Sequence, residues 1–267
     1  MRRFYQTLPL VKPVTQGSII NHCIADNYQG KEVYGMIITP RCDLGHQGKV
    51  NTVHYLPIVD FEDWIKVDGE DYFYNKWSQK KSKKFKDKCQ DLSFPDNIQK
   101  QELYVKMADK KISDKGRRDS FKKMVANYFN INRNSTDFAN YKMKSDTKKS
   151  LVDNLVEDKL PAYYLIEDWE PQKKRLFVIL LRDLKRISIN TVKLLNTKVV
   201  KSQINPMSDD LDIDHIENDF FQVCSLIASP FVEHIMQHFS HNFCRIGVED
   251  RDFENTKNLL FDTLNRL

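Results

Sequence analysis

Five cysteines, at positions 23, 42, 89, 224 and 244, show no paired spacing, and their odd count leaves one unpartnered in any disulfide scheme. A reducing cytoplasm is the simpler setting. Glycine is scarce too: none of the eight in 267 residues opens a phosphate-cradling loop, which sets aside P-loop chemistry, and the absence of His-Glu-x-x-His sets aside the corresponding zinc hydrolases. Arg2 and Arg3 precede only a short apolar patch broken by Pro9 and Pro13, too brief for a signal segment. No apolar run approaches membrane-spanning length, so neither export nor membrane insertion is expected. There is no internal repeat. Asp210-x-Asp212-x-Asp214 begins like a calcium loop, but His215 stands where glycine is needed and Phe221 where the bidentate acid is needed. Glu167, Asp168, Glu170 and Lys173 lack the spacing of a restriction-type nuclease core.

What is present is a folded, charge-rich chain. Hydrophobic residues make up 40% and aromatics 11%, enough to bury a core, while the net charge of +5 hides an uneven distribution. The length suits either one elaborated domain or two.

The stretch from Val33 to Val59 is the most informative. Two apolar runs, Met36-Ile37-Ile38 and Val53-His54-Tyr55-Leu56, flank a polar elbow holding Arg41, Cys42, Asp43 and His46. β-Branched and aromatic residues bounded by Pro40, Gly45 and Gly48 predict strand, loop, strand, with the elbow at a sheet rim. Ser18 to Ile24, Glu32 to Thr39 and Asn51 to Val59 read as strands of a short antiparallel sheet.

Between Lys66 and Lys149 the texture becomes lysine-rich with helical spacing: 22 Lys/Arg stand against 12 Asp/Glu, so nearly all the basic excess sits here. Phe121, Met124, Val125, Tyr128 and Phe129 mark one helix face, with Lys122 and Lys123 opposite, and the Asn130 to Ser135 run ends it. Strand texture returns at 162–166 and 176–181 as a second hairpin, whose simplest partner is the first sheet. After Pro206 the pattern predicts helix to the end. The acids at 209, 210, 212 and 214 precede Phe220, Val223, Leu226 and Ile227, a second helix starts after Ser229-Pro230, and a third spans Phe253 to Leu264.

Several groups are candidates for chemistry. Cys42 and His46, with His54 and His22-Cys23, offer soft ligands, but structural zinc sites use two close pairs, and here there is one loose pair beside an adjacent His-Cys. The expectation is therefore no metal and no cofactor. Cys42 is also a candidate nucleophile with Arg41 lowering its pKa and His46 as base, or simply a small buried hydrophobe with Asp43 fixing the turn. His234, His238, His241 and Arg245 fall at i, i+4, i+7 and i+11, one narrow helical stripe beside the apolar stripe of Ile235, Phe239, Phe243 and Ile246. That stripe suits a metal, an anion or plain packing at the core edge. Lys80, Lys81, Lys83 and Lys84, interleaved with Trp77 and Phe85, and the cluster Arg117, Arg118, Lys122 and Lys123, suit phosphate neutralisation with aromatic stacking on bases, or a solvated helix face.

Gln16-Gly17-Ser18-Ile19, Gly35-Met36-Ile37-Ile38-Thr39 and Leu56-Pro57-Ile58-Val59 resemble the strand layout of the PemK/MazF-like toxin family. The resemblance covers about a fifth of the chain. It implies a small barrel and RNA cleavage, with Thr39 in the position of the family's catalytic hydroxyl. Val33-Tyr34 stands where the family has Arg-Pro, which makes Arg41 the displaced substitute. Thr39-x-x-Cys42-Asp43-Leu44, Ser229-Pro230-Phe231 and Phe243-x-Arg245-x-Gly247 also resemble uncharacterised bacterial proteins that sit beside defence or signalling genes, which implies a role in phage defence or stress response.

The combined expectation is an α+β protein. Residues 15–65 and 160–192 form a small antiparallel SH3-like or barrel core, 66–159 a basic helical insertion, and 206–267 a helical C-terminal region. The expected function is a bacterial defence- or stress-associated nucleic-acid-binding protein of the cytoplasm, with an RNA-cleaving version. In that version Arg41 stabilises the phosphorane charge, His46 is the general acid/base, and Thr39 or Asp43 orients the phosphate. The alternative is a non-catalytic adaptor or sensor that holds a protein partner, encoded by a neighbouring gene, through the elbow and the histidine-bearing helix.

Overall fold

The computed structural model describes residues 4–5, 14–45, 50–169, 175–195 and 221–243. Strands β1 (Ser18–Ile20), β2 (Val33–Ile37) and β3 (Thr52–Asp60) are built from the apolar runs that flank the elbow. They form an antiparallel meander with Ile19 opposite Met36 and Met36 opposite Leu56. The second hairpin, β4 (Tyr163–Glu167) and β5 (Leu176–Leu180), joins the same sheet through Ile58 and Ile179. Strand β6 (Lys185–Ser188) takes the other half of the same β3 edge, with Val53 opposite Ile187. The order is β4-β5-β3-β2-β1, then β7 (Val223–Leu226) on the far side of β1, and the antiparallel sheet curls into a half-barrel.

Proline within a paired strand needs a place where no ladder donor is missed. Pro57 has one: β6 pairs with β3 up to Tyr55 and β5 from Ile58 onward, so the proline falls where the neighbour changes.

The period of two in each strand divides the core. Ile20, Val33, Ile37, Val53, Tyr55, Val59 and Val178 face one side, with Trp64, Phe73, Trp77, Phe138, Leu151 and Leu155. These come from α2 (Phe61–Lys66), α3 (Asp68–Asp91), α6 (Thr136–Met143) and α7 (Ser145–Val156). Ile19, Tyr34, Met36, Leu56, Ile58, Ile166 and Ile179 face the other side, under Val232 and Ile235 of α9 (Phe231–Phe243). Away from the sheet, Phe85 and Cys89 of α3 pack with Tyr104 and Ala108 of α4 (Gln101–Lys111) and with Phe121 and Val125 of α5 (Lys115–Phe129), making a core of their own. Side-chain oxygens start several helices: Asp60 accepts from the Glu62 amide, Asp114 from Arg117 and Ser135 from Phe138. The short α8 (Ile189–Leu194) follows β6 with Ser188 as its cap.

Three local expectations are corrected. The predicted helix over Phe220, Val223, Leu226 and Ile227 is, in its described part, strand β7: Ser18 and Ile19 of β1 pair with Leu226 and Ser225, giving the open backbone edge of β1 its partner. The region 206–267 is thus not uniformly helical. The first strand is shorter than 18–24, because Asn21 and His22 leave the ladder and His22 takes a positive φ of 54°. The start of the elbow is one helical turn, α1 (Arg41–Gly45), in which Pro40 O accepts from the Asp43 and Leu44 amides. The acidic run at 209–214 and the helix predicted at 253–264 lie outside the described residues.

Candidate functional site

The elbow brings part of its predicted set together. Thr39 follows β2 and is only 5% exposed, and its Oγ1 accepts the His54 amide at 2.7 Å, tying the end of β2 to β3. Arg41 and Cys42 are exposed on α1, with Asp43 beside them and half-buried. The Cys42 thiol donates weakly to Asp43 Oδ1 at 3.5 Å. His46 lies outside the described residues. Cys23 is buried under the sheet. Among the described residues, His22, Cys23, Cys42 and His54 do not converge with metal-binding spacing.

The basic helices divide into paired and open charges. Lys81 pairs with Asp137 at 3.0 Å, Lys122 with Asp109 at 2.6 Å, and Arg118 reaches the same Asp109 and the Ile112 carbonyl. Lys80, Lys83, Lys84, Arg117 and Lys123 are exposed and have no ion pair among the described residues. The interleaved aromatics do not reach solvent, which overturns the expectation that they stack on bases. Trp77 is 4% exposed and packs on Phe138, while Phe85 is fully buried, stacked on Tyr128 with centroids 4.1 Å apart. The physical reason is the fourfold spacing of Phe73, Trp77, Phe85 and Cys89, which turns these side chains onto the core face of α3.

A third group lies where α9 meets the turn after α7. His234 and His238, one turn apart, place their Nε2 atoms 3.2 Å from each other. Asp158 Oδ2 lies 3.7 Å from His238 Nε2, and the ligand atoms of all three residues lie within 4.8 Å of one another. Tyr164 of β4, 6% exposed, holds its hydroxyl 2.9 Å from His234 Nδ1. Burial, with the Asp158 charge second, pushes the Tyr164 phenol up to about 12, so it stays protonated at neutral pH. Asp158 has a positive φ of 53° just past the end of α7, where the Lys159 amide donates to Asn154 O and the Asp158 amide to Leu155 O. That is the left-handed helix-ending position glycine usually fills.

Of the predicted histidine stripe, His241 instead lines an open groove with Gln16, Glu233, Gln237 and Ser240. Arg245 lies outside the described residues. Sequence reading found His234 and His238 by their spacing and missed Asp158 and Tyr164, which carry no local signal because 70 or more positions separate them from His234.

Comparison of the chain with models of known families, with curated proteins and with solved structures returns no match.

Proposed function

We propose that the protein binds nucleic acid through the lysine face of α3. The observation that supports this reading is the set Lys76, Lys80, Lys83 and Lys84, at i, i+4, i+7 and i+8, all exposed and without an ion pair among the described residues. The stripe extends about 12 Å along the helix, the length of roughly three phosphates of a duplex strand. The excess of ten positive charges between Lys66 and Lys149 exceeds the +5 of the whole chain, so the remainder is acidic and the positive charge is concentrated in this span. With Trp77 and Phe85 buried, contact is made to the backbone and is tolerant of sequence.

The half-barrel, read as an SH3-like barrel of the toxin type, and a place in bacterial defence or stress response belong to the same proposal and rest on resemblance. In its cleaving branch Arg41 and Asp43 of α1 act on the phosphate with His46, and Thr39 stays committed to the His54 amide.

The test is fluorescence anisotropy with labelled single-stranded RNA, single-stranded DNA and duplex DNA over a range of salt, with strand integrity followed in the same samples. Affinity should fall steeply with salt. Replacing Lys76, Lys80, Lys83 and Lys84 together by glutamine should flatten the slope by about one unit for each phosphate no longer neutralised, with circular dichroism unchanged. No binding to any of the three at low salt sinks the proposal and leaves a protein-partner role. Binding with strands intact, or cleavage unchanged in Arg41→Ala and His46→Ala, removes the cleaving branch alone.

A further inference from the structure

Two side chains one turn apart on a helix share a face, and that spacing alone brings His234 and His238 together. Their 3.2 Å Nε2 separation has two physical readings. A hydrogen bond between neutral rings gives such a distance. So does a shared ion, because two nitrogens each about 2.05 Å from a tetrahedral zinc lie about 3.3 Å apart.

The surroundings favour the ion. A hydrogen-bonded pair needs no third group, yet Asp158 brings a carboxylate oxygen to 3.7 Å from His238 Nε2, and the three residues offer ligand atoms within 4.8 Å of one another. That aspartate occupies a left-handed backbone position where a Cβ is unfavourable and glycine is the usual residue. Behind His234, the buried Tyr164 hydroxyl sits 2.9 Å from Nδ1. Histidine ligands are oriented in this way by a partner on the second ring nitrogen, which leaves Nε2 to face the metal. His234 itself is exposed, and His238 and Asp158 are half-buried, so the group lies at the surface.

We propose that Asp158, His234 and His238 bind one divalent ion of the zinc class, with Tyr164 as the positioning residue for His234 and one coordination position open to water. Two imidazoles and one carboxylate are a donor set suited to zinc and its first-row neighbours rather than to calcium or magnesium, which take oxygen ligands. The ion joins α9, which covers one face of the sheet, to the turn between α7 and β4. Its open position takes water or an anionic oxygen. This inference goes beyond nucleic-acid binding and does not depend on it.

The experiment uses the full chain stripped with a chelator, titrated with zinc by calorimetry and followed by thermal unfolding, with cobalt as a visible-absorbing substitute. One ion per chain should bind and raise the melting temperature, since a ligand held only by the folded state stabilises it. His238→Ala should weaken binding a hundredfold or more, and Tyr164→Phe about tenfold, within the range for loss of an outer partner. His241→Ala should bind as the parent does. Asp158→Gly separates ligation from folding: relief of the positive φ should leave the stripped protein at least as stable as the parent, while its response to zinc is lost. No zinc binding by the parent, or undiminished binding by both Asp158→Gly and His238→Ala, overturns the proposal.

Discussion

Gly35 lies directly opposite Pro57 in the β2–β3 ladder, the residue without a side chain facing the residue without a backbone donor. The pairing has a steric cause on the glycine side. A Cβ at Gly35 would sit 2.7 Å from both Cys23 Sγ and Tyr55 Cδ2, which are fixed in the core beneath the sheet.

Gly35→Ala should therefore destabilise the protein by about 1–3 kcal/mol, the usual range for overpacking a core that cannot give way. Urea unfolding measures it. A midpoint equal to the parent's would mean that the ring of Tyr55 moves aside freely.

Thr39 makes a different prediction, because its buried hydroxyl is the acceptor of the amide of half-buried His54. Thr39→Val keeps the shape and strands the His54 N–H, at a cost of about 1–3 kcal/mol. Thr39→Ser retains the oxygen and should lose less. Denaturant titration of the two variants should rank serine above valine, and the reverse order would mean that the bond contributes nothing to stability.

Asp68, the first residue of α3, accepts from the Tyr28 phenol at 2.9 Å. Burial raises its pKa above the ordinary carboxylate value; the Tyr28 hydrogen bond opposes the shift, and the charges of Asp71 and Asp183 add to it. The folded state thus holds this proton more tightly than the unfolded chain, and the stability contributed by the group is full below the ordinary carboxylate range near 4 and declines as pH rises from there through the raised folded value. Asp68→Asn should accordingly melt higher than the parent at neutral pH, with the gap closing at low pH where both forms are uncharged. Melting curves across pH check the sign, and a parent that is the more stable at neutral pH would refute it.

Strands β2, β3, β4 and β5 were legible because their β-branched and aromatic runs are long and bounded by turn residues, and α9 because Ser229-Pro230 announces it. Strand β7 was not. Phe220, Val223, Leu226 and Ile227 fit a helical period as well as Val223–Leu226 fits a strand, and the choice is made by the unpaired edge of β1, some two hundred positions away. The same non-locality hid Asp158 and Tyr164 from the histidine stripe. Trp77 and Phe85 carried the opposite lesson: their spacing with Phe73 and Cys89 already encoded a buried face, and the surrounding lysines disguised it.

Helix α3 belongs to two cores at once, with Phe73 and Trp77 rooted beneath the sheet and Phe85 and Cys89 in the helical core beyond it. Its 24 residues make a beam about 36 Å long. A tilt of one degree at the sheet end carries the far end through about 0.6 Å at that length. The lysine stripe lies along the middle of this beam, between its two rooted ends, so its spacing is held by both cores rather than by either alone.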